Sequence, residues 1–342
     1  MSGARDAHAR PEPPGFIDPA NAASTPGMNA RSHTAPAPLL AAALVLFGAA
    51  WGLGQPLNKI VVSGGYRPWG IIFWQSGVAL ILLMIINTAR GRGLPRGAAQ
   101  WRVCAMVATL GTLLPHWATY SAVAHLPAGV MALIMAAIPI PILSLPIAVG
   151  LGQDAFTRRR AAGLLAGFAG AGCLIAARSG LGGESPLWFV ALGAVAPLCY
   201  ALNGNLLTRF GRAGMDPIQL FLGTMLLVLP AAGGLALATG QFIAPRWPLS
   251  PPDLALLAVA AIHACVYTGF LWLLAQAGAV FAAQVAYLVT GFGMVWSVLI
   301  LHESYPGWVW LAFLAMLLGI FLVQPRPNAT LAQSQSAAKD KR

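Results

Sequence analysis

Residues 126–153 read LPAGVMALIMAAIPIPILSLPIAVGLGQ, and residues 276–303 read QAGAVFAAQVAYLVTGFGMVWSVLILHE. Placed in register at an offset of 150, both are long apolar runs, with Val130 against Val280 and the step Leu151-Gly152-Gln153 against Leu301-His302-Glu303. The correspondence extends outward. Trp51 and Tyr200 open similar stretches, and Pro68 recurs as Pro217. The chain is an internal duplication, and nearly every segment of both halves is long and apolar enough to cross a membrane.

Composition agrees. With 58% hydrophobic and 8% charged residues and a mean hydropathy of +0.72, the chain stands far from the soluble average of roughly 25% charged residues. A soluble fold is excluded. The net charge of +11 does not point to nucleic acid, because the basic residues sit in short gaps between apolar runs and form no clustered patch. It reads instead as a topology signal. Cys104, Cys173, Cys199 and Cys265 are far apart, lie within apolar segments and show no C-x-x-C spacing, so packing is expected of them and neither disulfide, metal nor cofactor is indicated. Residues 1–36, rich in Pro, Ala, Gly and Ser, read as a disordered tail with no signal-peptide h-region.

A helix rises 1.5 Å per residue and the hydrocarbon layer is about 30 Å thick, so a span needs roughly 20 apolar residues. Ten segments qualify, near 38–60, 68–88, 103–122, 127–149, 159–177, 187–208, 217–238, 253–275, 279–301 and 306–324. With a cytoplasmic N-terminus, the inside set of basic residues is Arg31, Arg90, Arg92, Arg96, Arg102, Arg158, Arg159, Arg160, Arg209, Arg212 and Arg326, against Lys59, Arg67, Arg178 and Arg246 outside. That bias places both termini in the cytoplasm of a multi-pass inner-membrane protein. Five spans per repeat is an odd number, so the second repeat enters the bilayer from the opposite side and the two halves are inverted.

In this arrangement the chain resembles the drug/metabolite transporter superfamily, in particular its EamA-type members with ten helices and two repeats. The resemblance rests on Trp51-Gly52 in the first span with Lys59 at its far end, Pro68 opening the second span, the run from Leu126-Pro127-Ala128 through Pro139 to Gln153, and Leu301-His302-Glu303 with the Gly319-containing last span. It implies EamA repeats over 37–178 and 186–325, followed by a cytoplasmic tail over 326–342. It also implies a secondary carrier of amino acids, other small metabolites or drugs, not an enzyme, acting as a monomer or homodimer. The chain departs from the family at Gln153, where a Glu is usual, and at Gln75, near the usual Arg of the second span.

Polar groups at membrane depth are costly and mark cavities or partners. A His and a Tyr four residues apart share a helix face, and the pair occurs twice, as His116 and Tyr120 in the third span and His263 and Tyr267 in the eighth, at an offset of 147. Histidine titrates near neutrality, which suits coupling to protons. Further candidate substrate contacts are Trp51, Lys59, Gln75, Tyr200, Asn203 and Gln284. Lys59 either snorkels to the headgroups or meets an anionic substrate group across backbone loosened by Gly52, Gly54 and Pro56. Glu303, Asp216 and Asp253 are expected at helix ends as caps or solvated groups. Nothing matches a Walker loop, G-x-S-x-G or H-E-x-x-H. Two rival readings stay open: a membrane-embedded lipid-modifying enzyme, and a receptor without a transport cycle.

Overall fold

The computed structural model describes residues 35–136, 162, 165, 187–245, 247–282 and 284–323. The chain divides into Met1–Ala35 and Pro36–Arg342, and the second unit holds every helix that follows. Gln153, Asp154, Cys173, Arg246, both tails and nearly all of the fifth predicted span lie outside the described residues.

The helices are α1 (Ala37–Gly52), α2 (Gly54–Ser63), α3 (Pro68–Ala89), α4 (Ala98–Ala108), a π-helical turn Thr109–Leu113, α5 (Leu114–Val123), α6 (Ala128–Ala136), α7 (Leu187–Phe210), α8 (Pro217–Ala238), α9 (Pro251–Ala282), α10 (Val285–Leu301) and α11 (Gly307–Val323). No strand occurs among the described residues. Among the described residues, five stretches are long and apolar enough to cross a membrane: Ala37–Ser63, Pro68–Ala89, Trp188–Leu207, Pro217–Ala238 and Pro251–Phe270. Large apolar side chains such as Leu46, Ile81, Ile85, Leu237 and Leu311 point outward and exposed, as lipid-facing positions should.

Proline explains several local features. Pro68 and Pro217, the pair marked by the duplication, both open their helices, where a missing N–H costs nothing because that amide has no intrahelical acceptor. Pro56 and Pro115 act inside spans instead. Pro56 withholds an N–H from the Gly52 carbonyl, and the first span bends at Leu53, which keeps right-handed helical angles (φ −61°, ψ −20°). The backbone is therefore kinked there, not unwound as Gly52, Gly54 and Pro56 suggested. Pro115 does the same to Gly111, and the helix widens into the π turn directly before it.

Equivalent helices of the two repeats run antiparallel. At the start of α3, Trp69 donates its backbone N–H to Gln241 Oε1 (3.2 Å) and Trp74 its indole N–H to the Ile243 carbonyl (2.9 Å), both just past the end of α8. At the other end, Arg90 after α3 pairs with Asp216 before α8 at 3.2 Å, and Gln219 Nε2 donates to the Gly93 carbonyl at 2.7 Å. The second helix of one repeat thus lies head to tail against the second of the other. The fourth predicted span of each repeat agrees, because the first amides of α6 meet Glu303 just past α10. The repeats are inverted about an axis perpendicular to the helices.

Gly48 and Gly52, one turn apart, let α1 close onto α10. A Cβ at Gly48 would lie 2.3 Å from Leu288 Cβ, and one at Gly52 would lie 2.9 Å from both Phe292 Cβ and the Gly293 nitrogen. Small residues bring helix backbones together where water supplies no driving force. The contact is further held by Trp296 Nε1, which donates to the Ala49 carbonyl at 2.9 Å.

Candidate substrate site

The bend at Leu53 follows Trp51 by two residues, and the widened turn ends three residues before His116. Around them α9 packs on α1 and α3, and α5 packs on α3 and α7. His263, Tyr267 and Phe270 sit at i, i+4 and i+7 on α9 and so share one face.

His116 and His263 face each other, their ring centroids 6.1 Å apart and their planes at 89°. Trp51 closes one side, packing on His263 at 5.8 Å and on Phe270 at 5.7 Å. Its indole N–H donates to His263 Nδ1 at 3.2 Å. An Nδ1 that accepts carries no proton, so the arrangement holds the neutral tautomer with hydrogen on Nε2. A doubly protonated ring would set N–H against N–H and lose this bond. The charge state of His263 is thereby tied to the position of Trp51.

The two tyrosines respect the symmetry. Tyr120, buried, lies 5.7 Å from the His116 ring and donates its hydroxyl to Gln75 Oε1 on α3. Tyr267 packs on Phe221 of α8 at 4.6 Å. Each tyrosine leans on the second helix of its own repeat. With Gln75 Oε1 engaged, the buried Gln75 Nε2 is left without a partner, as are Asn203 Oδ1, Gln55 Oε1 and the Thr119 hydroxyl. Unpaired buried polar atoms cost on the order of 1–3 kcal/mol each, and a hydrogen-bonding ligand offsets that cost. Tyr200 on α7 lies in the neighbourhood of Tyr120.

Other candidates fall elsewhere. Gln284 is exposed at the break between α9 and α10. Lys59 spends its ammonium on the end of α5, donating to the carbonyls of Val123 (2.8 Å), Ala124 (3.3 Å) and Leu126 (2.9 Å). A cation on the last carbonyls of a helix also meets the negative end of its dipole. Three donors with three acceptors leave none for a substrate unless this end is rearranged. The acids are helix caps: Glu303 takes the first amides of α6, Asp216 takes the amides of Ile218 and Gln219 (2.9 and 3.0 Å), and Asp253 takes that of Ser250 (2.9 Å). Among the described residues, no carboxylate stands beside the histidine pair and no cluster of three His, Cys, Asp or Glu could hold a metal ion. Of the described cysteines, Cys104 is buried, Cys199 half-buried and Cys265 exposed.

Phe270 and Phe221, which pack on Trp51 and Tyr267, were not singled out from the sequence. Phe270 carried a readable signal in its i+7 spacing from His263, whereas Phe221 looks like any apolar residue of a span.

Inverted helical repeats around a half-buried aromatic and imidazole cluster describe a multi-pass membrane protein. The model of the EamA-like transporter family matches residues 39–176 and again 187–324, so the chain belongs to that family, transporters of the drug/metabolite type with two repeats. Its fold is similar to a solved structure described as a crystal structure of a protein, at 17% identity and a TM-score of 0.56, covering 84% of this chain and 96% of that one. No curated protein matches the chain.

Proposed function

We propose that the protein is a ten-span secondary carrier that moves a small organic metabolite, such as an amino acid or a drug-like solute, across the inner membrane by alternating access coupled to protons. The observation that carries the reading is the facing of His116 and His263, one from each inverted repeat, at 6.1 Å. A site on the pseudo-twofold axis is shared by both halves, so rocking one against the other exposes it to either side in turn. Trp51, Tyr120, Tyr200, Tyr267 and the unpaired amides of Gln75 and Asn203 supply rings and hydrogen bonds without fixed charge, which suits neutral or zwitterionic solutes. Lys59 and Gln284 are not part of the contact set proposed here. Both termini are placed in the cytoplasm on the distribution of basic residues.

The link between His263 and Trp51 supports the coupling. Protonation of the ring costs the indole hydrogen bond and so changes the relation of the first span to α9. The test is solute flux in proteoliposomes under an imposed pH gradient, with solutes chosen by thermal-shift screening against amino acids, organic acids, sugars and cationic drugs. Recovery of the solute unchanged supports a carrier, and a converted product supports the membrane enzyme. His116→Ala with His263→Ala is expected to abolish the pH dependence of flux between pH 5.5 and 8. Gradient-driven flux that persists in the double variant refutes the coupling.

A further inference from the structure

At the end of the molecule that bears Lys59, the turn between α5 and α6 is gripped from both sides. Lys59, on α2, holds the carbonyls of Val123, Ala124 and Leu126, the last groups before and within the turn. Glu303, just past α10 in the other repeat, holds the first amides after it, accepting from Ala128 at 2.8 Å and Gly129 at 3.2 Å. Tyr305 braces the carboxylate, donating its hydroxyl to Glu303 Oε2 while accepting from the Gly129 amide at 3.0 Å. The grip is set by His302, whose left-handed backbone (φ 54°) ends α10 and turns Glu303 toward the α6 terminus. Beneath it Val123, Leu126, Val130 and Met294 are sealed from solvent. A basic group on a helix C-terminus and an acidic group on the next helix N-terminus each oppose the nearer dipole end. The turn is thus tied electrostatically to the first span of its own repeat and to the ninth predicted span of the other.

The sequence does not repeat this device residue for residue. By the duplication, Thr208 corresponds to Lys59 and Gln153 to Glu303, with Arg209 and Asp154 one residue further on. At the opposite end the described charged contact between the repeats is of another kind, Arg90 pairing with Asp216 at 3.2 Å.

We propose that Lys59 and Glu303 latch the α5–α6 turn and keep this end of the molecule closed, and that release of the latch is a step of the transport cycle. The inference rests on the carrier reading above. It makes Lys59 and Glu303 positioning residues, acting through the turn and not through the substrate.

The test uses the full chain in proteoliposomes, its native cysteines replaced by serine and a reporter introduced by Asn58→Cys. Asn58 is buried and adjoins Lys59, beneath the latch. A membrane-impermeant maleimide is applied from one face and then from the other. The parent should label slowly from the Lys59 side, and Glu303→Ala or Lys59→Met should raise that rate at least tenfold from that side alone. Gly129→Ala should do the same from the opposite partner, because its Cβ would stand 2.3 Å from the Tyr305 hydroxyl. Arg90→Ala, at the far end, should leave the rate unchanged. Where Glu303→Ala fails to fold, Glu303→Gln keeps the volume and one acceptor, and an intermediate rise is expected. Unchanged labelling in the folded latch variants overturns the proposal, as does an equal rise from both faces, which reports general loosening. Flux by the unmutated chain is scored separately: its absence sinks the carrier reading, whereas intact flux with unchanged labelling sinks the latch alone.

Discussion

Replacing Gly52 by alanine tests whether the seam between α1 and α10 sets the geometry of the site. Carbon atoms in contact prefer a separation of about 3.5–4.0 Å, and the new Cβ would stand 2.9 Å from Phe292 Cβ and from the backbone nitrogen of Gly293. Backbone cannot swing aside as a side-chain tip can, so the helices must part by roughly 0.6–1 Å to restore that separation. Overpacking of this kind costs about 1–3 kcal/mol. Against it, alanine is better than glycine inside a helix by about 1 kcal/mol. The net expectation for Gly52→Ala is a loss of up to about 2 kcal/mol, taking these two effects together. Gly234→Ala on α8 is the matched control. Nothing lies within 4 Å of its Cβ position, so only the propensity gain applies and stability should hold or rise by up to about 1 kcal/mol. Thermal melting of the purified proteins in one detergent reads both. Parting the helices also withdraws Trp51 from His263, so flux should fall in Gly52→Ala and not in Gly234→Ala. The reasoning is refuted if Gly52→Ala melts at or above the parent, or if the two variants lose equally.

Two further outcomes are expected. Trp51→Phe keeps the ring but removes the donor to His263 Nδ1, which should cost about 0.5–1.5 kcal/mol of stability and slow proteoliposome flux well beyond what Phe270→Leu does. Burial alone would raise the Asp216 carboxyl, yet the amides of Gln219 and Ile218 and the Arg90 guanidinium outweigh it and hold the group below the ordinary carboxylate value. A depressed folded value means that this stabilisation is complete above the ordinary value and lost as pH falls through the folded one. Asp216→Asn should therefore be less stable at pH 7, by under about 1 kcal/mol for so exposed a pair, with the gap closing toward pH 3 in melting curves.

Hydropathy and the 150-residue register were enough to read a helical, duplicated membrane protein, because lipid demands long apolar segments whatever their partners. The paired His and Tyr were legible for a similar reason: an i, i+4 spacing places them on one face of any helix. The bend before Pro56 and the widening before Pro115 could be anticipated from proline, though their form could not. Lys59 shows where reading along the chain fails. A lone cation near a span end looks alike whether it snorkels, binds substrate or caps a helix, and its acceptors lie 64 to 67 residues away.

What the sequence determined by itself is everything that depends on one segment at a time: which stretches are apolar enough to enter the bilayer, which residues of each share a face, and that the second half repeats the first. Only the tertiary structure decided which faces meet. It set Trp51 against His263 and Phe270, turned the two histidines toward each other, and carried Glu303 to the start of α6. The physical reason is that these are contacts between helices far apart in the chain. They are chosen by close packing at Gly48 and Gly52 and by the need of buried polar groups for partners, and neither constraint leaves a periodic trace in one helix.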